Sequence, residues 1–565
     1  MRRLHTILLI VSFGLQLIYA GYLTPKLEGM VTGLLPGEKL KVIVRMKEEA
    51  DISTFERSER VAMVDYLKSF AHDNQRELLS ALPEYGNSVG KVMPFWIYNG
   101  IAMEATGDVI RDIMQREDVG YIEEDGMVKL FTTPGTCIPH RGNRKVTWNI
   151  EIVQAPQAWD LGYNGEGIVI GNIDSGVDAV IPSFGDRWRE TNGWFDAVNG
   201  RDTPYDDMGH GTHVMGISCG GIMNPGRDDT IGVAPGATLI AAKGLNSEGY
   251  GTDAQIDACF QWFASLGPDA PHVINNSWGD DGDRTHYWQA TRNLQVLGIH
   301  LVFANGNSGV QGPGSVGSPA SYPHVIGVGG TLEDDGLLTL TSKGPSPVFD
   351  VPETTSLYLD PDWASSRRKP DLNAPGGNVP SCVPGGNGMG GQSGTSQAAP
   401  HVAGAIALLL QKNPDLTTKQ LWSILTSSVD EPPAGAPYPN MDWGWGRLNV
   451  YKALASTPIS NNHMNSSINK QHIAVTLSPN PFRQSIAIHF RLSESSDIKV
   501  CIYSISGKRI KTLTDDRKKA GSHTIQWNGR DMSGSSVGSG VYYAVLINNT
   551  NGAISKVKKE VCLIK

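Results

Sequence analysis

Between about residues 146 and 455 the chain alternates short apolar, β-rich runs with helix-like stretches, and nothing else in it restricts the fold so strongly. The runs are Gly167 to Ile173, Thr238 to Lys243, Val273 to Asn276, His300 to Ala304 and Val325 to Val328, each bounded by Gly, Pro or Asn. Helical patterns such as Asp253 to Ser265 and Thr395 to Gln411 accompany them. This alternation predicts an α/β unit, a doubly wound parallel sheet with helices on both faces. Any active site then belongs at the carboxyl ends of the strands.

The flanks read differently. Arg2 and Arg3 precede a short apolar stretch ending at Ala20, the pattern of a secretory signal peptide over residues 1–20 and too short to span a bilayer. Residues 21–140 show strand, helix, strand, helix, strand: an alternating run at Leu40 to Met46, a helical pattern from Val61 to Leu82 stopped by Pro83, extended segments from Val89 to Thr106, a helix from Gly107 to Arg116 and a last strand near Gly120 to Leu130. That is a small α+β module. The main unit occupies 141–457, a Ser/Asn-rich linker 458–471, and an all-β pattern of about seven short strands 472–565, which suggests an immunoglobulin-like sandwich.

Composition excludes several classes. A net charge of −9 argues against general nucleic-acid binding. Six cysteines are too few for a disulfide framework in 565 residues. The 65 glycines follow no three-residue period, so they point to tight loops and close backbone approaches, not to collagen.

Three glycine-framed segments carry the chemistry. GNIDSGVD places Asp174 just past an apolar strand, GHGTHVMG places His210 and His213 at a helix start, and GGQSGTSQAAPHVAG places Ser396 before an apolar helix. Acyl transfer needs a nucleophile, a base to take its proton and a group that orients the base, which Ser396, His210 and Asp174 supply. A side chain at Gly394 would obstruct the nucleophile. The two histidines also raise a metal pair, but their i, i+3 spacing lacks the intervening Glu of helical zinc peptidases.

These segments, with GVAPGATLIAAKGL, VINNSWG, FANGNSG, SVGSPASYP and RKPDLNAPG between them, resemble the subtilisin-like serine peptidases, the subtilases, and among them bacillopeptidase-like secreted forms. The resemblance implies a serine endopeptidase with Asp174, His210 and Ser396 as triad and Asn307 as oxyanion donor. His213 would pack behind the helix start. Gly249, Tyr250, Gly251, Ser277, Trp278 and Gly279 would pair with bound peptide, while Gly279, Gly306 and Gly317 would line an uncharged specificity pocket. Residues 21–140 resemble an inhibitor-like propeptide of ferredoxin-like fold, which implies self-cleavage between about Lys129 and Val146 and intramolecular inhibition.

The tail resembles the sorting domain of type IX (Por) secretion cargo, through SPNPF, VCIYSISGKRI, AGSHTIQWNGRD and GSGVYYAVL. This implies outer-membrane secretion machinery as a partner and a secreted or surface-attached product. Flagellar-hook-capping-like immunoglobulin modules share the pattern. Residues 473–565 hold 14 Lys and Arg against 6 Asp and Glu, a basic face for an anionic surface or a translocon. An extracellular destination permits a disulfide between Cys501 and Cys562, which would constrain the unfolded chain by about 4 kcal/mol. The chemistry requires no cofactor. Structural calcium is implied by resemblance alone, near Asp202, Asp206, Asp207, Asp228 and Asp229, residues that also read as solvated loop charges. The competing function is a silent adhesin or binding protein on a peptidase scaffold.

Overall fold

The computed structural model describes residues 21–52, 55, 59–134, 146–224, 227–282, 284–347, 358–385, 389–460, 475–492, 495–504, 509–550 and 553–564. The expected signal segment 1–20, Cys137 and most of the expected linker 458–471 lie outside them. The chain divides into two compact units, one reaching Pro458 and one starting at Ile459.

The first unit is built on a seven-stranded, all-parallel sheet. Its spatial order is Leu372–Pro375, Ile326–Thr331, His300–Ala304, Val273–Asn276, Val169–Asp174, Thr238–Lys243 and Trp194–Asp196. The earliest of these strands in sequence, Val169–Asp174, lies inside the sheet between Val273–Asn276 and Thr238–Lys243, so the strand order reverses beside it and opens a crevice at its carboxyl end. Most of these strands are buried along their length, as expected when helices cover both faces. One face packs on the helices His210–Cys219 and Thr395–Lys412, the other on Asp253–Ser265 and Trp288–Val296. The periodicity missed two strands, Trp194–Asp196 and Leu372–Pro375.

Residues before the sheet form a five-stranded module ordered Tyr22–Leu23, Val119–Glu124, Lys39–Met46, Gly100–Thr106 and Val89–Phe95. Without the short first strand this is the fourth-first-third-second order of a ferredoxin-like fold, carrying helices Arg60–Ala81 and Gly107–Met114. Its Met63, Val64, Leu67 and Phe95 share one hydrophobic cluster with Phe260, Trp288 and Leu294 of the main body.

The single strand expected near Gly120 to Leu130 is two. Val119–Glu124 closes the module sheet, while Met127–Leu130 joins a different one. The chain breaks between them because the Gly126 amide donates to Asp253 Oδ2 (2.9 Å) and Asp125 Oδ1 accepts from Ala254 N (2.9 Å), at the first turn of the Asp253–Ser265 helix. A carboxylate there satisfies an otherwise free helical N–H.

Among the described residues, the second unit contains seven strands in a three-stranded and a four-stranded antiparallel sheet around Phe482, Ile488, Val500, Trp527 and Leu546. The expected disulfide is absent. Cys501 stands opposite Val545 and Cys562 opposite Val541, so the two thiols lie at different levels of the sheet, and Cys219, Cys259, Cys382, Cys501 and Cys562 are all free.

Candidate active site

Asp174 ends the Val169–Asp174 strand, fully buried, and its Oδ1 accepts from His210 Nδ1 at 2.8 Å and from Ser175 N at 2.7 Å. His210 opens its helix after Gly209, whose φ of +89° suits glycine. Gly211 sits where a Cβ would lie 2.0 Å from the Gly176 carbonyl oxygen, so the aspartate and histidine loops touch backbone to backbone. Ser396 lies in the first turn of the Thr395–Lys412 helix, where backbone N–H groups have no partner within the helix.

The Asp–His arm is therefore formed, while the serine hydroxyl is turned aside. Ser396 Oγ donates to the Ser277 carbonyl (2.7 Å), and Ser277 Oγ donates to the Ser396 carbonyl (2.8 Å). His210 Nε2 lies 3.4 Å from Nε2 of buried Gln397. Asn307 is oriented by Thr395, whose N–H and hydroxyl donate to Asn307 Oδ1 at 3.0 and 3.1 Å, leaving Nδ2 for the other side.

The chain's own segment fills the cleft. Met127–Leu130 lies antiparallel between Tyr250–Thr252 and Trp278–Gly279, with Lys129 opposite both Tyr250 and Gly279, and Leu130 N donates to the Gly249 carbonyl (3.1 Å). Beyond it, Thr133–Pro134 pairs with Gln392–Ser393. Between the two pairings, the Phe131 carbonyl oxygen accepts from Ser396 N at 3.4 Å. A Cβ built on Gly394 would fall 2.2 Å from that oxygen and 2.8 Å from Asn307 Nδ2, so carbonyl and amide flank one point that only glycine leaves open.

The Phe131 ring is buried against Gly279 and Gly317, where a Cβ would come within 2.5 and 3.2 Å of it. Gly306 is needed for another reason, its φ of +108° and the Ser342 side chain beside it. Trp278 contributes backbone only, since its indole is buried edge-on to Tyr287 and Phe303; Tyr250 is half-exposed at the rim. Asn305 braces the pocket wall by donating to the Ser342 carbonyl (2.7 Å). His213 stands behind the helix start with Nε2 on the Gly390 carbonyl (3.0 Å), and burial pushes its pKa down to about 3, so it is neutral.

Sequence reasoning missed Phe131, Asp281, Gln392 and Gln397. Asp281 pairs with Lys129 and accepts from Ser308 Oγ (3.0 Å), and Gln397 Nε2 reaches Gln392 Oε1 (3.1 Å) and Thr132 Oγ1 (3.4 Å). Their role depends on which segment lies in the cleft, which no local motif encodes.

A sequence profile of the subtilase family matches residues 165–446, and one of the FlgD Ig-like domain matches 479–552. Subtilisin E of Bacillus subtilis (strain 168) is 30% identical over 66% of this chain and 86% of its own length. The chain belongs to the subtilase family. Bacillopeptidase F of the same organism is 32% identical over 74% of this chain, but the match spans only 30% of its length. An alkaline protease of Alkalihalobacillus alcalophilus is 32% identical over 55% of this chain and 69% of its own.

Membership places this subtilase among serine-type endopeptidases, which need no cofactor for catalysis. Two of the acidic residues considered for calcium are engaged within the chain. Asp206 is bonded to Ser175, Gly209 and Thr212, and Asp207 to Lys243, and among the described residues no group of His, Cys, Asp and Glu is disposed to hold an ion. Among the described residues no helix is long and apolar enough to cross a membrane.

Proposed function

We infer that this subtilase is a secreted endopeptidase made as a self-processing zymogen, and that its first substrate is its own Phe131–Thr132 bond. The supporting observation is the Phe131 carbonyl held at Ser396 N within a segment paired on both sides of the cleft.

In this reading Ser396 Oγ leaves the Ser277 carbonyl and attacks the Phe131 carbonyl carbon as its proton passes to His210 Nε2. Asp174 holds the imidazole in the Nδ1–H tautomer and stabilises the imidazolium. The oxyanion takes hydrogen bonds from Ser396 N–H and Asn307 Nδ2. His210 then gives the proton to the Thr132 nitrogen, the peptide bond breaks, and water, deprotonated by the same imidazole, releases Phe131 as a carboxylate. Tethering makes the first cut effectively unimolecular. The freed residues 21–131 remain as a product-like inhibitor, and other protein substrates follow by the same strand addition.

The test is the Ser396→Ala chain in a host without other secreted proteases. It should accumulate uncut, whereas the wild type gives two fragments, the larger beginning at Thr132. Processing of the variant at the same bond would assign the cut to another peptidase. A fluorophosphonate separates this reading from a silent adhesin, which would not be labelled.

The C-terminal unit is assigned to export and surface attachment through its resemblance to type IX sorting domains and its basic charge. Deleting residues 473–565 should abolish surface delivery and leave active enzyme, since Phe482, Trp527 and their neighbours form a core of their own. Normal delivery without the tail would leave it as an accessory FlgD-like module.

A further inference from the structure

One carboxylate joins the two loops that carry Asp174 and His210. Asp206 Oδ1 accepts from Ser175 Oγ (2.9 Å) and Gly209 N (2.7 Å), and its Oδ2 accepts from Thr212 N (2.8 Å) and Thr212 Oγ1 (2.6 Å). Both hydroxyls continue the lattice. Ser175 Oγ accepts from Gly211 N (3.0 Å), and Thr212 Oγ1 accepts from Asp178 N (3.0 Å). Residues 175 and 178 follow Asp174, while 209, 211 and 212 surround His210. A second arm comes from Lys243, fully buried and registered beside Asp174, whose Nζ donates to the Ser175 carbonyl and to Asp207 Oδ1 (2.7 Å). Ser175 is thus gripped at hydroxyl and carbonyl, one residue from the group that orients the imidazole.

We propose that Asp206 is a positioning residue for catalysis, clamping the start of the His210–Cys219 helix to the Asp174 loop so that the 2.8 Å His210–Asp174 contact is preset. This rests on the roles given above to Asp174, His210 and Ser396. The reason for a carboxylate is its acceptor capacity: five donors, Met208 N (3.3 Å) included, converge on two oxygens, and an amide has one acceptor atom. Charge-assisted bonds to helical N–H groups are also the stronger kind. Loss of the clamp leaves the substrate strands Tyr250–Thr252 and Trp278–Gly279 untouched, so it should act on turnover and not on binding.

The experiment uses the full chain, with activity on a chromogenic peptide normalised to sites titrated by a fluorophosphonate. Asp206→Asn should lower kcat per titrated site by about 10–100-fold, as expected of a small misplacement near the reacting groups, with KM within about twofold. Ser175→Ala cuts one arm and should lower kcat by less. The double variant should fall little below Asp206→Asn, because both act through one contact. Thr212→Val provides the other single-arm cut should Asp206→Asn fail to fold. A merely structural Asp206 would lower melting temperature and yield while leaving kcat per site at wild type, which would overturn the proposal. Wild-type chain that takes no label would overturn the catalytic reading and the clamp together. Labelled wild type with an equal labelling rate in Asp206→Asn overturns the clamp alone.

Discussion

The carbonyl oxygen of Phe131 lies 3.4 Å from the amide nitrogen of Ser396, with the phenyl ring enclosed between Gly279 and Gly317. The ring and the carbonyl fix one another: moving the side chain out of its pocket withdraws the oxygen from the amide. Phe131→Ala should therefore slow self-cleavage by about 10–100-fold, the equivalent of losing about 1.5–3 kcal/mol of aromatic burial. The rate is read as disappearance of full-length chain on a gel. An unchanged rate would mean that the cut lies elsewhere.

Asn307 is aimed by two bonds from Thr395 to its oxygen. Asn307→Ala should lower turnover by about 10²–10³-fold with little effect on KM, a magnitude taken from the corresponding donor of subtilisin. Asn307→Asp keeps the acceptor that Thr395 uses, loses the donor and adds a negative charge facing the oxyanion. A loss in this variant at least as large as in Asn307→Ala would place the effect on the donor. Full activity in Asn307→Asp would remove it from the mechanism.

The three loops proposed to be catalytic were legible because their chemistry and backbone geometry coincide in short segments. Gly209 and Gly394 sit at positive φ beside His210 and Ser396, and a glycine needed for conformation marks its position in any sequence. Strands Thr238–Lys243, Val273–Asn276 and His300–Ala304 match their apolar runs because all three are buried on both faces. Leu372–Pro375 was hidden by Asn373 and Pro375, polar or strand-breaking residues tolerated at the sheet edge. The break at Asp125–Gly126 was hidden because strand-like segments, Val119–Glu124 and Met127–Leu130, run up to it on both sides; its cause is a helix more than a hundred residues away. Asp206 read as a loop charge for the same reason, since its partners at 175 and 212 adjoin it only in space.

Lys129 Nζ pairs with Asp281, which Ser308 Oγ holds from the other side. Counting Phe131 as the first residue before the bond, Lys129 is the third. Both partners are near 40% exposed, so the pair is worth about 0.2–1 kcal/mol. Peptides with Lys at that position should show kcat/KM about two- to fivefold above those with Ala. The difference should vanish in Asp281→Asn and shrink at high salt. A preference that survives Asp281→Asn would assign it to another residue.

Release of residues 21–131 should depend on pH. Arg45 and Glu123 of this segment meet His286, Asp253 and Asp257 of the body in a buried cluster. Arg45 Nε donates to Glu123 Oε1 (2.8 Å), and the His286 ring bonds Glu123 Oε1 through Nδ1 and Asp257 Oδ2 through Nε2, both at 2.9 Å. Tyr98 lies under Arg45, while Tyr287 and Arg284 hold Asp253. Burial opposes the charge on Glu123, but His286 and Arg45 outweigh it and keep its carboxyl below the usual range. Burial likewise opposes the charge on His286, yet Asp253, Glu123 and Asp257 push it up to about 10. Asp125 has the opposite sign: burial raises it to about 6, with Asp253 adding to the shift against the hydrogen bond from Ala254 N. A depressed carboxyl contributes stability above its ordinary value, near 4.5 for Glu123, that is lost as pH falls through the bound-state value. A raised one favours the complex as pH falls from about 6 towards its ordinary 3.8. The raised His286 contributes below 6.5 and loses its contribution towards pH 10, less the part that Asp253 and Asp257 retain in the free body. Affinity of the separate segment for Ser396→Ala body, measured by calorimetry, should rise modestly from pH 7 to about 5 and fall below about 4.5. Asp125→Asn should remove the rise, and Glu123→Gln the acid loss. An affinity flat from pH 7 to 4 would show that the buried charges do not govern release.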